Sequence, residues 1–466
     1  MTLLHPYKQT IFWIFVVSIF ISFDVTRTSE VTTSLPLPVK GATIVPSSGD
    51  LPLFEITTKG TIVNEPKVDG ILVLKHKGEI LFEGFIGIEI RGKSSQFFAK
   101  KSYGFETRDS ENHDLKVSLL GFPKEADWIL YGPYTDKSLI RNLLVFDLAR
   151  DMGRYASRCE LVELSINDTY KGIYVFMEKL KRDDGRIDIN RLEPQEIAGE
   201  DLTGGYILKI DKVSSADPRR YYGPENSFES LVAPLGASSG QTINFLYEYP
   251  DAEDIVPAQR EYISNYVAQF EAALDSDAFT DPRSGYANYI DTDSFIDFFI
   301  LNELANNVDG YRLSTYIYKD RNGKLKAGPL WDFNLGFGNA DYCSGGATNV
   351  WAFRFNERCA DDFYLVPFWW DRLLQDPEFT RKLQLRWYTL RAGTLSNDVI
   401  QSKIDAYVAK LEKQQAVERN FDTWKILGIY VSPNSFVGNT YGEEVTYLKS
   451  WTNDRLSWLD GAINAL

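Results

Sequence analysis

Alternating apolar and polar residues characterise the chain from about residue 51 onward. The runs at 71–92 and 100–107 alternate and are rich in β-branched residues, which predicts an antiparallel sheet with hairpins. A further alternating stretch at 159–180 turns at Asn167 and Asp168, two residues typical of tight turns. This part of the chain is therefore predicted to be mainly sheet.

Helical spacing of apolar residues becomes common further along the chain. It predicts helices at 138–153, where Gly153 is the stop signal, at 258–276, and at 291–307 with a cap at Asp291 to Asp293. From about residue 360 the pattern is mostly helical, most clearly at 369–391 and 399–420. The chain thus combines a sheet-rich first part with a helix-rich last part.

The first 50 residues differ from the rest. An apolar run of thirteen residues at 11–23 follows Lys8; it is short for a bilayer span but suits the apolar core of a secretory signal. We therefore expect a signal peptide at 1–25, a flexible Thr/Ser/Pro linker at 26–50, export of the protein, and no stable membrane span after cleavage. A buried core helix or a retained anchor are the alternatives for this run.

Length and charge limit the possible domain organisation and partners. A chain of 466 residues exceeds the usual size of a single core, so we expect a principal domain at 51–345 and a helical C-terminal part of the same domain at 346–466. The net charge of −15 argues against nucleic-acid partners, which require a basic face.

Three cysteines and three histidines make a zinc site improbable. Cys343 and Cys359 could form one disulfide in an oxidising compartment, while buried free thiols are equally possible.

Two aspartates carry the most informative chemistry. Asp309 follows the helix predicted at 291–307, and Asp332 follows a strand-like segment with a turn between them, so the two carboxylates are expected to meet in one cleft. Phosphoryl transfer needs one carboxylate to orient a hydroxyl and another to hold the metal. Asp309 suits the first role and Asp332 the second. A helix cap and a solvated turn are the structural alternatives, because Asp favours both places.

A second motif is misleading. Residues 87–94 match the P-loop pattern G-x-x-x-x-G-K-S. A P-loop leads into a helix, whereas the four central residues here alternate as in a strand and the chain continues toward another strand. We therefore do not expect a P-loop.

Six segments in order, at 91–107, 119–142, 170–183, 204–211, 302–319 and 324–339, resemble the CotH kinase family of spore-coat-protein-H-like atypical protein kinases. The resemblance implies an α+β, two-lobed kinase-like fold, with an antiparallel-sheet N-lobe, a mainly helical C-lobe and a helical C-terminal extension. It also implies ATP and Mg²⁺, or Mn²⁺, as cofactors.

The resemblance implies nucleotide-binding roles as well. Lys101 or Lys100 would hold the phosphates, with Glu178 as the partner of that lysine and Arg91 in an Arg-Gly-x-x-Ser motif near the nucleotide. Strand alternation puts the two lysines on opposite faces, so only one is expected in the cleft, and Lys101 is favoured. Arg141 could bind phosphate or pair with Asp136. In the segment 204–211, an ion pair between a lysine and an aspartate, Lys209 and Asp211, is expected.

Two positions depart from kinase patterns. Ser314 stands where ordinary kinases have the second metal ligand, so Asn306 or Asn302 could substitute, and Asn334 stands where the family often has Asp. A neutral Asn binds a hard cation more weakly than a carboxylate does. Trp331 is expected to be a core aromatic rather than a nucleotide contact.

The resemblance implies a kinase that phosphorylates Ser or Thr hydroxyls of an exported or cell-surface protein, and the apolar run at 11–23 predicts that the kinase is itself exported. The alternative is a non-catalytic spore-coat or cell-surface assembly protein, or a carbohydrate-associated binding protein, on the same fold; an aromatic content of 14% would suit sugar rings.

Overall fold

The computed structural model describes residues 51–213, 221–238 and 240–466, which belong to one compact unit. The predicted signal peptide at 1–25 and linker at 26–50 lie outside these residues. Within the described ranges, no helix is long and apolar enough to cross a bilayer. The expected boundary at 345/346 stays a prediction.

The sheet-rich first part closes into a barrel. Its strands are β1 (Leu53–Thr58), β2 (Val68–His76), β3 (Glu79–Arg91), β4 (Ser102–Arg108), β5 (Asp127–Tyr131), β6 (Cys159–Ile166) and β7 (Thr169–Glu178). Around the barrel they follow the order β1-β2-β3-β4-β5-β7-β6, and every neighbouring pair is antiparallel except β1 and β6, which run parallel with Leu53 opposite Glu163. The expected sheet is thus not open, because this parallel pair joins its two ends.

Aromatic side chains fill the barrel interior. The ring of Phe176 lies 5.0 Å from that of Phe54 and 5.1 Å from that of Trp128, and all three residues are almost completely buried. Burial of large rings supplies much of the hydrophobic stabilisation of a small core. Asn167 and Asp168 have positive φ angles of 48° and 60°, which confirms the predicted tight hairpin between β6 and β7.

The P-loop pattern lies in and just after β3. This strand extends to Arg91 and is followed by a short 3-10 helix at Ser94–Phe97 and then by β4. No α-helix begins there, so residues 87–94 do not form a P-loop.

A second sheet follows the barrel, with the order β12-β11-β8-β10-β9. The central strand β8 pairs antiparallel with both β10 and β11, and it delivers Lys209 and Asp211 to one end of this sheet. The strands are β8 (Tyr206–Ile210), β9 (Ser227–Glu229), β10 (Asn244–Tyr249), β11 (Thr315–Lys319) and β12 (Lys326–Ala327).

The helices largely follow the predicted pattern. Asp291 caps the third helix by accepting a hydrogen bond from the Ser294 amide (2.9 Å). The segment 369–391 is two helices, because Asp376 caps a new helix that begins at Pro377. A 3-10 turn likewise divides 399–420. The helices are α1 (Arg141–Asp151), α2 (Pro257–Asp275), α3 (Thr292–Ala305), α4 (Phe355–Arg358), α5 (Trp369–Leu373), α6 (Pro377–Arg391), α7 (Asn397–Glu412), α8 (Ala416–Thr423) and α9 (Tyr441–Asn464).

Candidate active site

A cavity of about 1160 Å³ lies where the barrel meets the second sheet and the loops that carry the two aspartates. Strand β3 contributes Arg91 to its lining, strand β8 contributes Lys209, and the loops contribute Asp309 and Asp332. The sequence prediction that the two carboxylates share one cleft is therefore matched by the geometry.

Asp309 lies in the loop after α3. The helix ends at Ala305, and its C-cap, Asn306, adopts the left-handed conformation (φ 42°). The next turn is tight at Gly310, where a Cβ atom would come within 2.4 Å of Asn302 Oδ1. Asp309 Oδ1 accepts from Arg312 Nη2 (3.3 Å) and Tyr342 Oη (3.4 Å). Burial raises the pKa of Asp309, although Arg312 lowers it.

Asp332 has no hydrogen bond or ion pair to its carboxylate from the described residues. Burial raises its pKa to about 7, and repulsion from Asp309 and Asp211 acts in the same direction, against attraction by Arg91. Its φ of 60° is uncommon for a non-glycine residue, although Asp tolerates it better than most. A carboxylate poised to lose its proton near neutral pH, without a partner of its own, is suited to bind a cation.

A third carboxylate, Asp211, lines the same cavity. Its Oδ2 pairs with Lys209 Nζ at 3.0 Å, as the sequence predicted, and lies 3.5 Å from Ser314 Oγ. Burial alone would lower the pKa of Lys209, but Tyr316 and Asp211 shift it well above its usual value. Sequence reasoning assigned this pair a structural role only. The overlooked signal is that Asp211 directly follows the end of β8. The pair therefore lies at the end of the sheet nearest to Asp309 and Asp332.

Arg91 is the predicted nucleotide residue that the structure brings into the cavity. Its guanidinium lies 5.6 Å from the ring of Trp331, which also lines the cavity and stacks on Phe146. Burial lowers the pKa of Arg91 while Asp332 raises it, and a guanidinium remains charged in either case. Trp331 is thus both a packing residue and part of the cavity wall.

Lys100 and Lys101 do not line the cavity. Lys100 is buried and donates to Ile173 O (2.6 Å) and to Asn420 Oδ1 (2.9 Å), and this burial pulls its pKa well below the usual value. Lys101 Nζ donates to the carbonyls of Gln96 (2.6 Å) and Phe98 (2.7 Å). Both side-chain nitrogens already donate hydrogen bonds to protein acceptors, so this geometry does not support their predicted role in binding phosphate.

The predicted lysine–glutamate pair is also absent from the described residues. Glu178 is fully buried and accepts from Arg158 Nη1 (2.7 Å), the Arg158 amide (2.9 Å) and Tyr155 Oη (3.1 Å). It lies outside the cavity lining and fastens the end of β7 to the turn before β6. The two lysines were assigned to it by resemblance, but their own partners are Asn420 and backbone carbonyls.

Arg141 takes the structural alternative. Its Nη1 pairs with Asp136 Oδ1 at 2.5 Å, and both side chains are almost completely buried outside the cavity lining. The same carboxylate accepts from Ser138 and from the amide of Arg141, the first residue of α1. A phosphate could not reach this guanidinium without breaking a buried ion pair.

Of the predicted metal ligands, some line the cavity and others lie outside it. Asn334 lines the cavity, and its Nδ2 donates to Thr135 Oγ1 (3.4 Å). Asn306 does not: it is buried, and its Nδ2 donates to the carbonyls of three residues in the segment that follows Cys343. Asn302 is likewise buried and donates to Phe298 O. Ser314 lines the cavity, but beside Asp211.

Two residues beside Asp309 escaped sequence reasoning. Arg312 is 2% exposed at its side chain and joins Asp309 to Asp362. Tyr342, which also contacts Asp309, directly precedes Cys343. Cys343 is joined to Cys359 by a disulfide, with the two Cα atoms 5.8 Å apart. The spacing of Arg312 three residues after Asp309 was a usable signal, whereas the approach of Tyr342 depends on tertiary structure.

Comparison with known proteins identifies the family. A search of curated proteins found no match. Among solved structures, the crystal structure of the Helicobacter pylori proinflammatory kinase CtkA aligns with 75% of this chain and 94% of its own, at 11% identity and a TM-score of 0.30, a likeness too low to carry an argument. A family model described as CotH kinase protein matches residues 88–459. Because that match covers most of the sequence, the chain belongs to the CotH kinase family.

Proposed function

We propose that this chain is a kinase that transfers the γ-phosphate of ATP to Ser or Thr hydroxyls of a protein. Membership of the CotH kinase family supports a kinase-like function. The observation that carries the proposal is the cavity in which Asp309 and Asp332 face the same space as the cations of Arg91 and Lys209. Phosphoryl transfer requires this combination of acids and cations.

Asp309 would orient the acceptor hydroxyl and accept its proton. Its Oδ1 is held by Arg312 and Tyr342, and no donor from the described residues contacts Oδ2. A carboxylate whose pKa is raised is a stronger base than an ordinary Asp. Oδ2 is the atom that would receive the proton.

The cavity offers oxygen ligands that fit Mg²⁺ or Mn²⁺. Asp332 and Asn334 would hold the metal, with Asp211 as a further oxygen donor on the same wall. In the described parts of the chain, no three His, Cys, Asp or Glu side chains form a metal-binding group by themselves. This fits Mg²⁺, which commonly takes only one or two protein carboxylates and completes its shell with water and phosphate oxygens. When bound, such an ion neutralises charge on the phosphates.

Arg91 and Lys209 would hold the phosphates in place of Lys100 and Lys101. Both cations line the cavity, and Asp211 fixes the ammonium of Lys209 from one side. A planar guanidinium can contact two phosphate oxygens at once, while an ammonium acts as a point charge. The two residues therefore offer complementary contacts.

We further propose a kinase-like arrangement in which the barrel is one lobe and the helical part the other, with the cavity between them. The acceptor would be an exported or cell-surface protein. The apolar run at 11–23 and the disulfide between Cys343 and Cys359 support export, because disulfides persist in oxidising compartments.

The test is transfer of radiolabelled γ-phosphate from ATP, with Mg²⁺ or Mn²⁺, to the protein itself and to a generic acceptor. Asp309→Ala and Asp332→Ala should each abolish transfer, and circular dichroism should show that both variants remain folded. Mg-ATP should raise the melting temperature of the native chain. No transfer together with no thermal shift would refute the kinase proposal and favour the non-catalytic binding protein.

A further inference from the structure

The disulfide between Cys343 and Cys359 closes a segment whose first end lies at Asp309. Tyr342, the residue before the disulfide, donates its hydroxyl to Asp309 Oδ1 at 3.4 Å. Packing around this phenol is dense enough that burial, together with the charge of Asp309, raises the pKa of Tyr342 well above its usual value. The phenol therefore stays a neutral donor toward the carboxylate.

The second end of the same segment also lies at Asp309, through Arg312. The guanidinium donates to Asp309 Oδ1 (3.3 Å), to Asp362 Oδ1 (3.1 Å) and to the carbonyl of Tyr364 (3.0 Å). It lies over the ring of Phe355 at 3.8 Å. Asp362 and Tyr364 come shortly after Cys359, so the disulfide joins a stretch that contacts Asp309 Oδ1 directly, through Tyr342, to one that reaches it through Arg312.

The middle of the segment is held by other contacts. Asn306 Nδ2 donates to the carbonyls of Ser344 (3.0 Å) and Ala347 (3.1 Å), and Arg455 Nη1 donates to those of Thr348 (2.9 Å) and Val350 (2.6 Å). The segment should therefore stay folded when the disulfide is opened. Loss of the bond would act on the two ends, where the contacts to Asp309 lie.

We propose that Tyr342 and Arg312 are positioning residues for Asp309 and that the Cys343–Cys359 disulfide holds them in register. Both donate to Oδ1 and so leave Oδ2 for the acceptor hydroxyl. This inference rests on the proposed function, since it assigns these residues to the same transfer reaction. A dithiol reductant would open the bond: two electrons and two protons pass from the dithiol, which closes into its own disulfide, and Cys343 and Cys359 become thiols. Both cysteines are only half-buried.

The experiment compares kcat and KM for ATP in the oxidised chain, in the chain reduced with dithiothreitol, and in Cys343→Ser/Cys359→Ser. Reduction and the double substitution should each lower kcat about tenfold or more and leave KM for ATP unchanged, because a displaced base slows the chemical step rather than nucleotide binding. Tyr342→Phe should reproduce part of this loss. Reoxidation should restore the native chain and have no effect on the double variant.

Cys159→Ser is the matched control, because Cys159 is the free cysteine of the described residues. This variant should keep full activity and full sensitivity to reductant. A double Ser variant with native kcat, or a loss confined to KM for ATP, would overturn the proposal.

Hydrogen exchange measured by mass spectrometry supplies a readout that does not depend on catalysis. Peptides covering residues 306–314 should exchange faster after reduction, while those from the barrel should not change. Unchanged exchange at 306–314 would overturn the positioning role even if no acceptor were phosphorylated, whereas absence of transfer by the oxidised chain would refute only the proposed function.

Discussion

Two acids, the fully buried Glu303 and the half-buried Asp332, have opposite surroundings. Glu303 accepts from the amides of Ala352 (2.7 Å) and Phe353 (2.9 Å), from Tyr311 Oη (3.0 Å), and pairs with Arg455 at 3.2 Å. Asp332 has no such partner among the described residues and faces two other carboxylates. Burial raises the pKa of both. The acid with a complete set of partners fastens helices together, and the acid without one lines the cavity.

The cations show the same contrast. Lys100 and Arg141 are buried with protein acceptors and lie outside the cavity, whereas Lys209 and Arg91 face it. Lys209 also pairs with Asp211, so its position in the cavity lining, and not the lack of a partner, marks it as a candidate site residue.

Arg455→Met should cause the largest loss of stability. The substitution leaves Glu303 as an uncompensated charge in a fully buried place, which typically costs about 3–5 kcal/mol in the free energy of unfolding. Chemical denaturation measures it. Adding Glu303→Gln should recover part of the loss, because the remaining side chain is neutral. A decrease below about 1 kcal/mol in the free energy of unfolding would show that the Arg455–Glu303 pair does not stabilise the fold as its geometry indicates.

Lys209→Met should lower kcat/KM for ATP about a hundredfold, since it removes a cavity charge that we propose holds the transferred phosphate. Lys101→Met is the matched control: its ammonium contacts two backbone carbonyls, so kcat/KM should stay within about threefold of native. Steady-state kinetics on folded variants decides between them. The reverse order of effects would restore the original assignment of Lys101.

Asp332→Asn should abolish transfer yet stabilise the chain at alkaline pH. The folded-state pKa of about 7 is above the ordinary value of 3.8, so ionisation between these values favours the unfolded state, and the penalty is complete above about pH 7. Asn removes the penalty, and we expect a gain of about 1–3 kcal/mol at about pH 8. At about pH 4 or below the two proteins should be equally stable. Thermal melts across this range, without metal, measure the difference, and a gain that is independent of pH would contradict the assignment.

Local patterns were sufficient to predict the aspartates. Asp309 follows an amphipathic helix pattern and Asp332 follows a strand-like segment, and the structure brings both to the cavity. Alternation predicted different faces for Lys100 and Lys101, but both residues precede β4, and the sequence could not show that each already had protein acceptors. Asn420, the partner of Lys100, comes from α8, far along the chain.

The fold was predictable at the level of class. The mixture of sheet and helix and the cap at Asp291 could be read from the sequence. Closure of the barrel could not, because it depends on the parallel pairing of β1 with β6, a contact between strands that no short pattern connects. The sequence also did not predict that Asp211, just after β8, lines the cavity. The reason is related, because the position of Asp211 follows from the order of strands in the sheet.

The parallel pair of β1 and β6 also has a consequence for the order of synthesis. The barrel contains only residues up to Glu178, so it can close on the ribosome before Asp211, Asp309 and Asp332 have emerged. Pairing over such a distance is slow compared with local contacts, but N-terminal units usually fold first during translation. Arg91 would then be in place on a finished scaffold, and the repulsion among the three acids would arise only in the last stage of assembly.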